Sequence, residues 1–345
     1  MSHITCEAFG HLADGQSVER YTLTGVGGLE VAILTYGATV QAIRFDGVDV
    51  VLGYDTLEGY LNGSSCQGAS IGRYGNRIAA GRFVLNGETY TLNCNENGTG
   101  HLHGGNVGFD RRLWKAEPLM TEDPALRLSL VSPDGEEGYP GTLSTSVTYS
   151  VTPDNALHIL YAATSDRDTH YNPTNHAYFN LSGANGTDAL GLELQIQADH
   201  YTPVDAHLIP TGELCPVEGT PFDFRTPKTV GRDILAEDAQ LAIVGQGYDH
   251  NLVLNGTQPF ATLYAPSTGI EMACFTDQPG VQLYSATCLG EPGGKNGEPL
   301  RRFQAVCLET QHYPDSPNKP AFPSTLLKAG ERYHSETIYR FAKRH

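Results

Sequence analysis

Turn-forming residues interrupt this chain at short, nearly even intervals, and no other feature limits the possible fold as strongly. The 345 residues include 39 glycines and 20 prolines. Long uninterrupted helices are therefore disfavoured, and many tight turns are required. Between the breaks, apolar and polar residues alternate. "YTLTGVGGLEVAILTYGATVQAIRF" alternates on either side of Gly25, Gly27 and Gly28. "GRFVLNGETYTLN" places Asn86-Gly87 between two alternating runs, a strong hairpin signal because both residues tolerate positive φ. The same pattern continues through "GTLSTSVTYSVTPDNALHILYAAT", "GIEMACFT", "VQLYSATCL" and "RRFQAVCLETQ". Period-two alternation with regular turns predicts an all-β protein, a β-sandwich or a barrel, and one large β-sandwich is the form expected. Helical signal is thin, with room for a turn or two near residues 231–239. No composition break marks a linker, so residues 1–345 are expected to form one domain.

Charge narrows the partners. Lys and Arg number 22 against 39 Asp and Glu, a formal net charge of -17. No basic tract offers a phosphate track, so nucleic acid and anionic membrane surfaces are not expected partners. The seven cysteines are scattered and form no CxxC pair, which argues against a disulfide framework or a zinc knuckle. The first residues, "MSHITCEAFG", lack a basic segment followed by an apolar run, and no stretch nears 18 apolar residues. The expectation is a soluble, cytoplasmic protein.

Several segments carry candidate chemistry. In "NPTNHAYFNL", an extended backbone over 175–181 would turn His176, Tyr178 and Asn180 to one face and Ala177, Phe179 and Leu181 to the core. His176 then reads as a hydrogen-bonded structural histidine or as a proton carrier in a polar cleft. "VCLETQH" sets Glu309 inside an apolar strand, which suits either an exposed sheet face or a cleft carboxylate with a raised pKa. "GASIGRYGNRIAAGRF" fits no phosphate-loop pattern, and Arg77 beside Asn76 is either a surface cation or a fork of donors for ligand oxygens. "GTGHLHGGNVGFD" offers His101 and His103, a metal pair only if further ligands join from elsewhere. "GYDHNLVL" and "TDQPGVQLY" add Asp249 and Gln278 at turns that feed strands.

Taken in order, "SIGRYGNRIA", "LHGG" with "GFD", "NPTNHAYFNL", "GYDH" and "LETQ" followed by "PDSPN" resemble the aldose 1-epimerase (galactose mutarotase) family, from about residue 15 to the C-terminus. The resemblance implies His176 as catalytic acid and Glu309 as catalytic base. It places Asn76, Arg77, His103 and Asp249 around a sugar, with Gln278 as a further contact in some members. Tyr178 joins them as a wall of the pocket by strand periodicity alone. Gly75 stands where many relatives have alanine, and Thr310-Gln311-His312 is a stretch where they vary. The family's fold is a large antiparallel sandwich, in agreement with the alternation. The implied reaction opens and recloses the ring of a free aldose, D-galactose and D-glucose among them, using one acid and one base. No metal and no other cofactor is expected, since no redox change occurs. A hexose-phosphate epimerase and a non-catalytic carbohydrate-binding protein are the alternatives, and a monomer or homodimer fits equally well.

Overall fold

A computed structural model describes residues 3–184 and 187–344. Three antiparallel sheets dominate. Nine strands form the largest, in the spatial order Lys115–Leu119, Ala125–Ser132, Leu143–Val151, Ala156–Ser165, Arg332–Lys343, Ile270–Thr276, Ala261–Ala265, Glu193–Ile196 and Lys228–Thr229. The strand Arg332–Lys343 pairs Ala156–Ser165 on one side and Ile270–Thr276 on the other. The end of the chain thus joins two hairpin arrays into one sheet. A five-stranded sheet runs in sequence order from His3–His11 to Val48–Asp49. The third sheet orders six strands as Tyr178–Phe179, Val306–Gln311, Gly280–Tyr284, Asp249–Leu254, Ala198–Tyr201 and Cys215–Pro216. The expected antiparallel sandwich is therefore present.

Alternation explains where the core sits. Leu126, Val147 and Phe341 of the nine-stranded sheet share one apolar cluster with Val31 and Val40 of the five-stranded sheet. Leu252, Val281, Leu283, Val306 and Leu308 bring the six-stranded sheet into the same cluster. Their neighbours along each strand face the other way, so the opposite face of that sheet carries Asp249, Asn251, Gln282, Tyr284, Cys307, Glu309 and Gln311. Burial of the apolar set holds the register, because a one-residue slip would exchange the two faces.

Local predictions fare unevenly. Asn86 and Gly87 form a two-residue turn between paired Leu85 and Glu88, with φ of 52° and 83°. The helical turn expected near 231–239 begins later, as Ala239–Ile243. Asp238 sets that start, since its carboxylate accepts from the amides of Gln240 and Leu241. A second short helix, Leu57–Asn62, is capped by Thr56 and was not anticipated. No described helix is long and apolar enough to cross a membrane.

Candidate active site

The segment around His176 is not one strand. Thr174–Asn175 pairs with Ser70–Ile71, whereas Tyr178–Phe179 pairs with Val306–Cys307 in a different sheet. His176 and Ala177 bridge the two. Asn175 makes this possible: its side-chain oxygen accepts from the Ala177 amide at 3.1 Å, and its amide nitrogen donates to the Gly68 carbonyl at 2.9 Å. The His176 backbone is held by Ala69 and Gly68, each at 2.9 Å. Alternation survives for Ala177, Phe179 and Leu181, which enter the core. Asn180 departs from the expected cleft face, because its side chain donates to the Thr187 and Gln304 carbonyls.

His176 lines a cavity of about 450 Å³ together with Glu309, Asn76, Arg77, His103, Tyr178 and Asp249. Seven of the eight residues singled out in the sequence therefore converge. The eighth, Gln278, is not among the lining residues. Its side chain instead donates to Asp277 through Nε2 and accepts through Oε1 from His312 Nδ1 at 3.0 Å. Gln282, four residues on, does not line the cavity either, but it touches the site through Asp249. It stands directly opposite Glu309 in the strand register and donates to Asp249 Oδ1 at 2.7 Å. The turn at Pro279-Gly280 made Gln278 conspicuous, while the alternation of "VQLY" held the signal for Gln282. Glu96, Tyr284 and Glu291 also line the cavity and went unnoticed in the sequence. Glu291 ties two walls together by accepting from Tyr54 Oη and from Ser64 Oγ.

Acid and base candidates face each other at the floor. His176 Nε2 lies 3.6 Å from Glu309 Oε1, and both residues are almost fully enclosed, at 5% and 2% exposure. The histidine ring stacks on Tyr178 with centroids 4.9 Å apart and meets the edges of His103 and Tyr284. Burial lowers the His176 pKa to about 4. Burial also pushes the Glu309 carboxyl well above its ordinary range; Asp249 adds to this and Arg77 opposes it. Glu309 beside His176 would favour the protonated ring, but desolvation dominates, because both partners are withdrawn from water together.

Arg77 links this pair to the cavity wall. Its Nε and Nη2 donate to Glu96 at 2.7–3.0 Å, and Nη1 lies 3.6 Å from Asp249 Oδ2. Burial works against its charge, yet Asp249 and Glu96 push its pKa up. Arg77 is thus a fixed cation with a geometry that suits ligand oxygens. Arg73 of the same motif serves the framework instead, buried and donating to the Pro140, Gly141 and Ser132 carbonyls. His101 is likewise structural, held between the Asn93 carbonyl and Tyr139 Oη.

His103, His176 and Glu309 bring three possible metal-ligating atoms within 4.8 Å of one another. The donor chemistry does not suit a metal. The Asn76 amide donates to His103 Nδ1 at 3.1 Å, so the neutral ring carries its proton on Nε2. A metal-bound histidine has the opposite arrangement, with its second nitrogen donating. Burial, with His176 and Arg77 adding to it, lowers the His103 pKa well below the ordinary value and keeps the ring neutral. His103 is therefore a neutral N–H donor at the cavity wall, held there by Asn76, whose carbonyl also accepts the His103 amide at 3.1 Å.

Known proteins match this chain along nearly its whole length. The sequence pattern of the family described as Aldose 1-epimerase matches residues 19–340. Galactose mutarotase of Homo sapiens is 40% identical over 352 aligned positions, covering 99% of both chains. Aldose 1-epimerase of Escherichia coli K12 is 39% identical, covering 95% of this chain and 96% of its own. The crystal structure of galactose 1-epimerase from Lactobacillus acidophilus superposes with a TM-score of 0.91 at 29% identity, covering all of both chains. With an enclosed His–Glu pair, an arginine fork and a neutral histidine donor around one cavity, and with this match over residues 19–340, the chain belongs to the aldose 1-epimerase family.

Proposed function

We propose that the protein interconverts the α and β anomers of free aldoses such as D-galactose and D-glucose, with Glu309 as base and His176 as acid. The observation that carries this reading is the buried His176–Glu309 pair, 3.6 Å apart at the floor of a sugar-sized cavity. Glu309 accepts the proton of the anomeric hydroxyl while His176 donates to the ring oxygen. The bond between carbon 1 and the ring oxygen breaks, and the open-chain aldehyde forms. Rotation about the bond between carbons 1 and 2 presents the other carbonyl face. Reclosure returns both protons, so nothing is consumed.

The electrostatics of the pair support this cycle. Ring opening starts from the charged pair, an imidazolium and a carboxylate, a form that burial disfavours in the ligand-free site. After opening it is neutral, with an imidazole and a carboxylic acid. Burial lowers the His176 pKa and raises that of Glu309, and both shifts favour the neutral pair. The enclosed site therefore offsets part of the cost of the open-chain intermediate. His103 Nε2–H and Arg77 supply donors for sugar oxygens, while Asp249 and Glu96 supply acceptors for hydroxyls.

The charge of the wall favours free sugars over phosphorylated ones. Among the lining residues, Arg77 is the single arginine or lysine, against the carboxylates of Glu96, Asp249, Glu291 and Glu309. A phosphate dianion would meet mostly like charge. Polarimetry on freshly dissolved α-D-galactose and α-D-glucose tests the proposal. Wild type should speed the decay of rotation, and Glu309→Gln and His176→Asn should each lose roughly 10²–10⁴-fold. Sugar binding without faster decay would reject catalysis and leave a carbohydrate-binding protein.

A further inference from the structure

Beside Glu309, across the same sheet face, lies a row of polar side chains that the reaction does not account for. Glu309 stands opposite Gln282, and Gln282 stands opposite Asn251, on adjacent antiparallel strands. Thr202 extends the row, since its amide donates to the Asn251 carbonyl at 3.0 Å. Gln311 lies two residues beyond Glu309, on the same face of its strand. At about 4.8 Å per strand, the row spans about 14 Å across the sheet. All five residues are at most 3% exposed.

Each of the five has a buried polar atom without a hydrogen-bond partner: Thr202 Oγ1, Asn251 Nδ2 and Oδ1, Gln282 Oε1, Glu309 Oε2, and Gln311 Nε2 and Oε1. Reversing an amide resolves none of this. Asn251 and Gln311 lack partners at both ends, and Gln282 already uses its nitrogen on Asp249. Sheet geometry spaces these groups along the face, and over Gly280, opposite Gln311, stand Asn251 Oδ1 and the edge of the Tyr313 ring. Buried polar groups are nearly always paired, and where protein cannot pair them, ordered water does.

We propose that this row is a built water site in which ordered water molecules bridge Glu309 Oε2 to Gln282, Asn251, Thr202 and Gln311, making Gln311 and Asn251 positioning residues for the base. The functional half of this inference rests on Glu309 being the base; the water site itself does not. Glu309 must be anionic to accept a proton. The groups that face it are Asp249, Arg77, His176, His103, Cys66, Cys307, Tyr178 and Tyr339, and of these only Arg77 carries a fixed positive charge. A water O–H directed at Oε2 stabilises the carboxylate. Once Glu309 is protonated, the same water reorients and accepts. Amides that offer both a donor and an acceptor permit that reversal. The proton that moves in catalysis stays between the sugar, Glu309 and His176.

Neutron diffraction on the ligand-free wild type reads the site directly. Water deuterons within hydrogen-bond reach of Glu309 Oε2 and the Gln311 amide are expected; a dry row with the amides closed onto one another would overturn the proposal. Kinetics read the positioning role. Gln311→Leu and Asn251→Leu should lower kcat by about 10- to 100-fold, the usual worth of a hydrogen bond to a charged group, with KM little changed. The acid limb of the kcat–pH profile should move to higher pH. Asn251→Ser, which keeps a hydroxyl and leaves room for water, should recover most of the loss. Wild-type kcat and an unshifted acid limb in the folded leucine variants would refute the positioning role. If the leucine variants fail to fold, Asn251→Ser and the diffraction experiment still decide. An inactive wild type would reject the proposed function while leaving the diffraction test of the water site intact.

Discussion

Replacing His176 by asparagine should change the acid stability of the fold by a predictable amount. In the native protein burial lowers the His176 pKa from 6.5 to about 4. The unfolded chain takes up a proton on this residue as pH falls through 6.5; the folded protein does not until about pH 4. Protonation therefore favours the unfolded state across that window, and the stability present above pH 6.5 is lost as pH falls. A gap of about 2.5 pH units at 1.36 kcal/mol per unit is worth about 3 kcal/mol. Burial raises the pKa of Glu309, so it offsets the cost of charging His176 less than an exposed carboxylate would. The variant also loses the stacking contact with Tyr178, but that loss is the same at every pH. The difference in pH dependence therefore isolates the titration. Urea unfolding at a series of pH values from 7 to 4 measures it. Wild type should lose about 3 kcal/mol more than His176→Asn over this range. The buried histidines His101, His170 and His250 are common to both proteins and cancel, and His103 loses only the smaller contribution of His176 to a shift that desolvation dominates. Parallel stability curves would refute the claim that His176 is held neutral in the free site.

Glu309 should behave in the opposite sense. Its folded pKa is raised, so its contribution to stability is complete below about 4.5 and is lost as pH rises toward the folded value, at up to about 1.4 kcal/mol per pH unit. Glu309→Gln should accordingly gain stability over wild type between pH 4.5 and 7, measured by the same urea titrations, while losing activity. Arg77→Lys should lower kcat/KM about 10- to 100-fold in the polarimetric assay, since one ammonium cannot hold Glu96 through two nitrogens and still reach Asp249. Gln278→Ala should leave kcat/KM within about twofold of wild type, because its side chain serves Asp277 and His312 rather than the cavity; a large loss would restore it to the site.

Much of the molecule was legible in one dimension. Period-two alternation and turn residues specify antiparallel sheets because they act locally: a side chain faces the core or it does not, and Asn86-Gly87 adopts positive φ wherever it sits. The family motifs pointed to His176 and Glu309, the acid and base proposed here, since their residue types and order survive without geometry. Other features depended on strands and loops that are distant in sequence. Register alone decides that Gln282, not Gln278, stands opposite Glu309. Glu96 lies on a loop with no distinguishing pattern, and only the fold brings it to Arg77 at 2.7 Å. The Asn76 amide against His103 Nδ1 determines which ring nitrogen carries the proton, and so separates a hydrogen-bond donor from a metal ligand. The directions in which burial moves His176 and Glu309 belong to the enclosure itself. Alternation can be read from neighbours along the chain, but desolvation and cross-strand contact are set by what folds over a residue, and that exists only in three dimensions.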